Sequence, residues 1–125
     1  MLRIVLATTR LEAMQAFVEA LSSNPEVRLQ HVTSGAEALE AVRISAPHLV
    51  IIDSGLANHE PLELVKKLLM VNAMMNTAVV SPLSEAEFHE ASEGLGVLAR
   101  LPGEPGESDA ADLLDKLRMV LGVMG

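Results

Sequence analysis

Short, wholly apolar stretches alternate along this chain with stretches of helical periodicity. Three of them, Ile4–Ala7, Leu49–Ile52 and Ala78–Val80, contain no polar residue. Such an uninterrupted run is typical of a parallel strand that is covered on both faces, because a strand with one solvated face alternates apolar and polar residues. The pattern therefore predicts an α/β fold in which each strand is followed by a helix that crosses back over a parallel sheet.

Five strand–helix units fit into the 125 residues. The predicted strands are Leu2–Ala7, Val27–Thr33, His48–Asp53, Thr77–Ser81 and Val97–Leu101. Helices are predicted over about 11–21, after the capping boxes that begin at Ser34 and Ser84, from Pro61, and after Ser108. The expected architecture is a doubly wound (βα)5 three-layer sandwich, and residues 1–125 are expected to form a single domain.

Composition narrows the classes of function. The chain has 17 acidic and 9 basic residues and a net charge of −8, which argues against direct binding to nucleic acid or to an anionic membrane. It has no cysteine, which excludes disulfides and thiol chemistry. No apolar stretch approaches the roughly 20 residues of a membrane span. We expect a cytoplasmic domain.

Asp53 follows the third predicted strand directly, and Ser81 ends the fourth. Ligands of open α/β sheets bind beyond the carboxyl ends of the strands, so a carboxylate at this point is a candidate for chemistry. The alternative is that Asp53 only caps the turn by accepting backbone N–H groups. The first strand runs into Thr8 and Thr9, and the last ends at Leu101 before Pro102.

Over its whole length the chain resembles the receiver domain of bacterial two-component response regulators, the CheY-like family. The segment DSGLANHEPLELVKKL, from Asp53 to Leu68, is similar to the family's phosphoacceptor aspartate, the leucine three residues later and the leucine-rich third helix. Gly94 and Pro102 match a glycine after helix four and a proline after strand five. The resemblance implies a flavodoxin-like sheet in order 2-1-3-4-5. It also implies that Asp53 is the phosphoacceptor and Ser81 the hydroxyl residue at the end of strand four.

The residues that assist phosphoryl transfer in the family are different in this sequence. Thr8 and Thr9 stand where the family has two acids that hold Mg²⁺, Leu101 stands at the position of its lysine, and Leu98 at that of its aromatic switch residue. Mg²⁺ is usually held through carboxylates, and phosphoryl transfer depends on neutralising charge on the phosphoryl oxygens. Arg100 is expected to face away from the site, because neighbouring residues of a strand point to opposite faces. The pattern indicates a degenerate receiver, or pseudo-receiver, without metal or cofactor.

We therefore predict a non-enzymatic protein–protein interaction module of two-component or phosphorelay signalling that acts independently of phosphorylation. Its partner would be another signalling protein or an output domain, and a homodimer remains open. The alternative is a receiver that accepts a phosphoryl group on Asp53 with Mg²⁺, and a second alternative is a flavodoxin-like binder of a small ligand. The predicted partner surface comprises Met70, Met74 and Met75 around the end of helix three, and Glu87 and Glu90 of helix four.

Overall fold

The computed structural model describes residues 1–122. Their five strands form one parallel sheet in the order β2-β1-β3-β4-β5, as predicted. The strands are β1 Leu2–Ala7, β2 Val27–Val32, β3 Leu49–Ile52, β4 Thr77–Val80 and β5 Ala99–Leu101. Every residue of β3 and β4 is buried, which agrees with the apolar runs Leu49–Ile52 and Ala78–Val80; Thr77, the first residue of β4, is buried as well. β2 and β5 lie at the two edges of the sheet.

A helix follows each strand. The helices are α1 Gln15–Ser22, α2 Gly35–Ile44, α3 Pro61–Val71, α4 Glu85–Ala91 and α5 Glu107–Leu121. The sequence signals at their starts are present: Ser34 and Ser84 accept from the backbone N–H groups of Glu37 and Glu87, and Pro61 occupies the first turn of α3. None of the helices within residues 1–122 has the length and apolar character needed to cross a membrane.

The sheet separates two apolar layers. On one face, Met14, Phe17 and Leu21 pack with Leu113 and Leu117 of α5 against alternate residues of β1 and β3. On the other, alternate residues from the same strands meet α2, α3 and α4, in a cluster that includes Val42, Leu64, Leu68 and Phe88. Alternation along each strand thus feeds both layers, as expected for a sheet covered on both sides.

The first helix begins differently from the prediction. Leu11–Met14 form a 3₁₀ turn, and the α-helix starts only at Gln15. Arg10 stands at the N-terminal end of this turn with φ −121° and ψ 45°. Several predicted strands also extend one or two residues too far, so that Asp53 and Ser81 lie in the loops beyond β3 and β4. Their side chains are consequently placed by loops at the carboxyl edge of the sheet.

Candidate functional site

Asp53 lies just beyond β3, between the ends of β1 and β4. Its backbone N–H donates to the carbonyl oxygen of Ala7 at 2.9 Å, which continues the pairing between β1 and β3 by one residue. The residue is fully buried. A buried carboxylate needs compensating donors or a cation, because its transfer out of water is costly.

Four donors supply that compensation. Oδ1 accepts from Arg10 Nη2 at 2.7 Å and from the backbone N–H of Ser54 at 2.8 Å. Oδ2 accepts from Arg10 Nε at 2.9 Å and from the hydroxyl of Thr8 at 2.6 Å. A carboxylate offers about four lone-pair sites, so the acceptor capacity of Asp53 is fully used by the protein itself.

Arg10 connects three loops through this contact. Its guanidinium binds Asp53 in a bidentate manner and also donates from Nη2 to the carbonyl oxygen of Gly103 at 3.0 Å, in the loop after β5. Its backbone N–H donates to the hydroxyl oxygen of Thr8 at 2.9 Å. The hydrogen bond to Asp53 raises the pKa of Arg10. The loops after β1, β3 and β5 are therefore joined by one cation.

The residues at this edge do not fit the Mg²⁺ site of a receiver. Thr8 is buried and donates its hydroxyl to Asp53, and Thr9 is exposed and carries no charge. No group of three or more acidic, histidine or cysteine side chains within residues 1–122 is arranged to hold a metal ion. The positively charged guanidinium of Arg10 already lies beside the Asp53 carboxylate. It would repel a divalent cation bound at the same carboxylate.

Ser81 is buried, but its hydroxyl oxygen accepts from the backbone N–H of Leu83 at 3.2 Å, within its own loop. Leu101 packs into the layer formed with α1 and α5, and Leu98 is half-buried against the same layer. Arg100 points the other way, donating to Glu85 Oε1 at 3.2 Å and to the carbonyl oxygen of Ser81 at 3.0 Å. The alternation expected of a strand is thus observed, and the only cation that reaches Asp53 within residues 1–122 is Arg10.

The predicted partner surface is divided in the structure. Met70 and Met74 are each 86% exposed, and Glu87 and Glu90 are exposed on α4. Met75 is buried in the layer formed with α2, α3 and α4, so its assignment to an exposed surface is corrected. It lies just before β4, where its side chain fills the core of a chain that is poor in aromatic residues. The methionines therefore do not form one continuous patch.

Arg10 is the site residue that the sequence argument did not identify. The positions considered for a cation, Leu101 and Arg100, lie at the end of β5, whereas the cation comes from the turn after β1. A signal was present, because Thr8-Thr9-Arg10 follows β1 at the same edge of the sheet as Asp53. An arginine there can reach a carboxylate after the neighbouring strand.

Comparison with known proteins gives the fold. No protein-family model matches the chain, and no curated protein matches it in sequence. Solved structures do match. A receiver domain of Francisella response regulator 1452 has a TM-score of 0.80 at 14% identity, covering 96% of this chain and 99% of that one. The response regulator domain of Thermotoga maritima CheB has a TM-score of 0.75 at 19% identity, covering 99% and 98%.

A DNA-binding response regulator of the LuxR family from Staphylococcus aureus has a TM-score of 0.76 at 16% identity, covering 94% of this chain and 98% of that chain. This chain has the response-regulator receiver fold. The strand order 2-1-3-4-5 is confirmed, and so is the resemblance in fold that the sequence indicated. Sequence identities below 20% leave the chemistry of the site to be argued from its own residues.

Proposed function

We propose that this receiver-like domain works in two-component signalling by protein–protein contact and is not switched by phosphorylation of Asp53. The observation that carries the proposal is the occupation of both Asp53 carboxylate oxygens by Arg10, Thr8 and the Ser54 N–H. The expected partner is another signalling protein or an output domain, in the cytoplasm, without direct contact to nucleic acid or membrane. Residues 1–125 are proposed to act as one domain.

The chemistry of phosphoryl acceptance explains why this occupation matters. One carboxylate oxygen would have to attack the phosphorus of the donor while the bond to the donor's leaving group breaks. That oxygen needs a free lone pair, and the transferred group brings negative charge that a cation must neutralise. Arg10, Thr8 or the Ser54 N–H would have to give up a bond to the attacking oxygen. No carboxylate is present at Thr8 or Thr9 to recruit a metal ion.

The alternative is that Asp53 does accept a phosphoryl group and that Arg10 supplies the neutralising charge. One observation favours it: the guanidinium already lies on Asp53, and its planar arrangement of donors suits phosphate as well as carboxylate. The second alternative, a flavodoxin-like ligand binder, has no comparable support. Both phenylalanines, Phe17 and Phe88, are buried, so neither is available to stack on a flavin.

Intact-mass spectrometry after incubation with acetyl phosphate and Mg²⁺ tests the proposal. The parent chain is expected to show no phosphate adduct. Arg10→Gln removes the ion pair and tests whether Arg10 is the block, while Asp53→Asn is the control for adducts elsewhere. A phosphate adduct on the parent that disappears in Asp53→Asn would overturn the proposal, and loss of that adduct in Arg10→Gln would establish Arg10 as the assisting cation.

A further inference from the structure

A groove lined by arginine side chains runs between the edge strand β2 and the C-terminal end of α2. It has a volume of about 300 Å³. One wall carries Arg3, Arg28 and Gln30 from β1 and β2, and the other is formed by Ala41, Ile44, Ser45 and Pro47. Among residues 1–122, no acidic side chain lines this basic groove, although acids outnumber bases almost two to one in the chain.

Arg3 and Arg28 are direct register partners on neighbouring parallel strands, about 4.8 Å apart along the hydrogen-bonding direction. Like charges placed opposite each other destabilise a sheet unless something compensates them. Within residues 1–122 neither arginine forms an ion pair. The pair therefore presents uncompensated positive charge, which an anionic group between the two guanidinium groups would stabilise.

One of the two guanidinium groups is held in place and the other is available. Arg3 donates from Nη1 to Ser45 Oγ at 2.7 Å and from Nη2 to the carbonyl oxygen of Ala46 at 2.9 Å. Arginine has five N–H donors, so three remain free for a ligand. Arg28 is exposed and makes no side-chain hydrogen bond within residues 1–122. Ile44, 74% exposed, adds an apolar contact at the same place.

The edge of the sheet indicates what kind of ligand fits. β2 ends the sheet, so one of its hydrogen-bonding edges has no strand partner within residues 1–122. Its side chains alternate: Arg28 and Gln30 face the basic groove, whereas Val27 and Leu29 lie partly exposed on the other face, against the α1 and α5 layer. An added strand with alternating acidic and aliphatic side chains would match both faces at once.

We propose that β2 and the basic groove bind an extended acidic–aliphatic segment of a partner protein, which adds to the sheet as a sixth strand. The segment's carboxylates pair with Arg28 and extend across β2 toward Arg3, and its aliphatic side chains extend over Val27 and Leu29 on the other face. A small ligand alone would stay largely in water, because Arg3, Arg28 and Ile44 are exposed. The net charge of −8 disfavours a polyanion such as nucleic acid. A second copy of β2 would bring its own Arg28 to the same groove.

This proposal rests on the proposed interaction function, but its test is separate from the phosphorylation assay. Amide NMR spectra of the ¹⁵N-labelled chain are recorded with an acetylated, amidated peptide of alternating glutamate and leucine at about 1 mM, a concentration suited to weak binding. The amides of β2 and of 44–46 are expected to shift, and the Leu29 and His31 amides to gain protection from exchange. The matched peptide of alternating glutamine and leucine is expected to shift them at least about fivefold less.

Arg28→Glu is the decisive variant, since the Arg28 side chain is exposed and forms no ion pair within residues 1–122, and it is expected to weaken binding at least about tenfold. Lys116→Glu, an exposed charge reversal on α5, is the matched control and is expected to bind as the parent does. Equal binding by Arg28→Glu, equal binding of the two peptides, or no shift in β2 would overturn the proposal. So would stronger binding of single-stranded DNA or of anionic vesicles at the same amides.

Discussion

Replacing Arg10 by glutamine is the most direct test of the site. The substitution keeps a side chain of moderate length but removes the charge and the bidentate contact to Asp53, together with the bond to the Gly103 carbonyl oxygen. Asp53 would then remain fully buried, with only the Thr8 hydroxyl and the Ser54 N–H as donors. We expect the variant to fold and to be less stable than the parent.

The expected loss of stability in Arg10→Gln follows from how deeply Arg10 and Asp53 are each buried. Removing one partner of a fully buried ion pair costs about 3–5 kcal/mol, because the other charge is left uncompensated. The Arg10 side chain is 37% exposed, so water can reach the vacated position and replace part of the lost hydrogen bonding. We therefore expect a loss of about 2 kcal/mol in the free energy of unfolding, which lowers the Tm of a domain of this length by about 8 °C.

A double-mutant cycle with Asp53→Asn isolates the interaction, measured by urea unfolding of the parent, both single variants and the double variant. We expect a coupling energy of about 1–2 kcal/mol that persists at about 0.5 M salt, since one partner is buried. Arg43→Gln, which breaks an exposed pair with Glu40, is the control and should change stability by less than about 0.5 kcal/mol. Effects of Arg10→Gln and Asp53→Asn that simply add would refute the reasoning.

Two further predictions concern other parts of the fold. Gly35→Ala would place a Cβ 2.7 Å from Cγ of His59, so it should cost about 1–3 kcal/mol in urea unfolding and be largely relieved when His59→Ala is added; a neutral single variant would contradict this. Burial and the nearby charges of Arg3 and the N-terminus lower the pKa of His48 below 6.5, and its Nδ1 accepts from the Arg3 N–H. The contribution of neutral His48 to stability should therefore be complete above pH 6.5 and lost as the pH falls through the lowered pKa. An NMR titration of the His48 imidazole with a midpoint at or above 6.5 would contradict this prediction.

The fold could be predicted from the sequence because its signals are local and agree with one another. Uninterrupted apolar runs mark the central strands β3 and β4, and capping residues at Ser34 and Ser84 mark helix starts. The predicted helix start and the predicted exposure of side chains were less accurate where tertiary contacts determine them. The turn before α1 is 3₁₀, and Met75, which precedes β4 in a polar-looking loop, is drawn into the core. Neither outcome has a distinct local signature.

The site was only partly predictable for a related reason. Asp53 follows from topology alone, because a residue after a central strand must lie at the carboxyl edge of the sheet. The direction of the Arg100 side chain, away from the face that Leu101 occupies, follows from alternation along a strand and needs no knowledge of the loops. Arg10 follows from neither rule, since its side chain is directed by the conformation of a turn and by a carboxylate 43 positions further along the chain. Only the tertiary structure brings the two side chains together.

The contact between Arg10 and Asp53 compensates the buried carboxylate. Threonines stand at positions 8 and 9 and a leucine at 101, and the positive charge beside Asp53 comes from Arg10. A buried carboxylate needs donors or a cation to compensate its charge, and Arg10 supplies them by bonding to both of the oxygens from which Asp53 would have to attack a phosphoryl group.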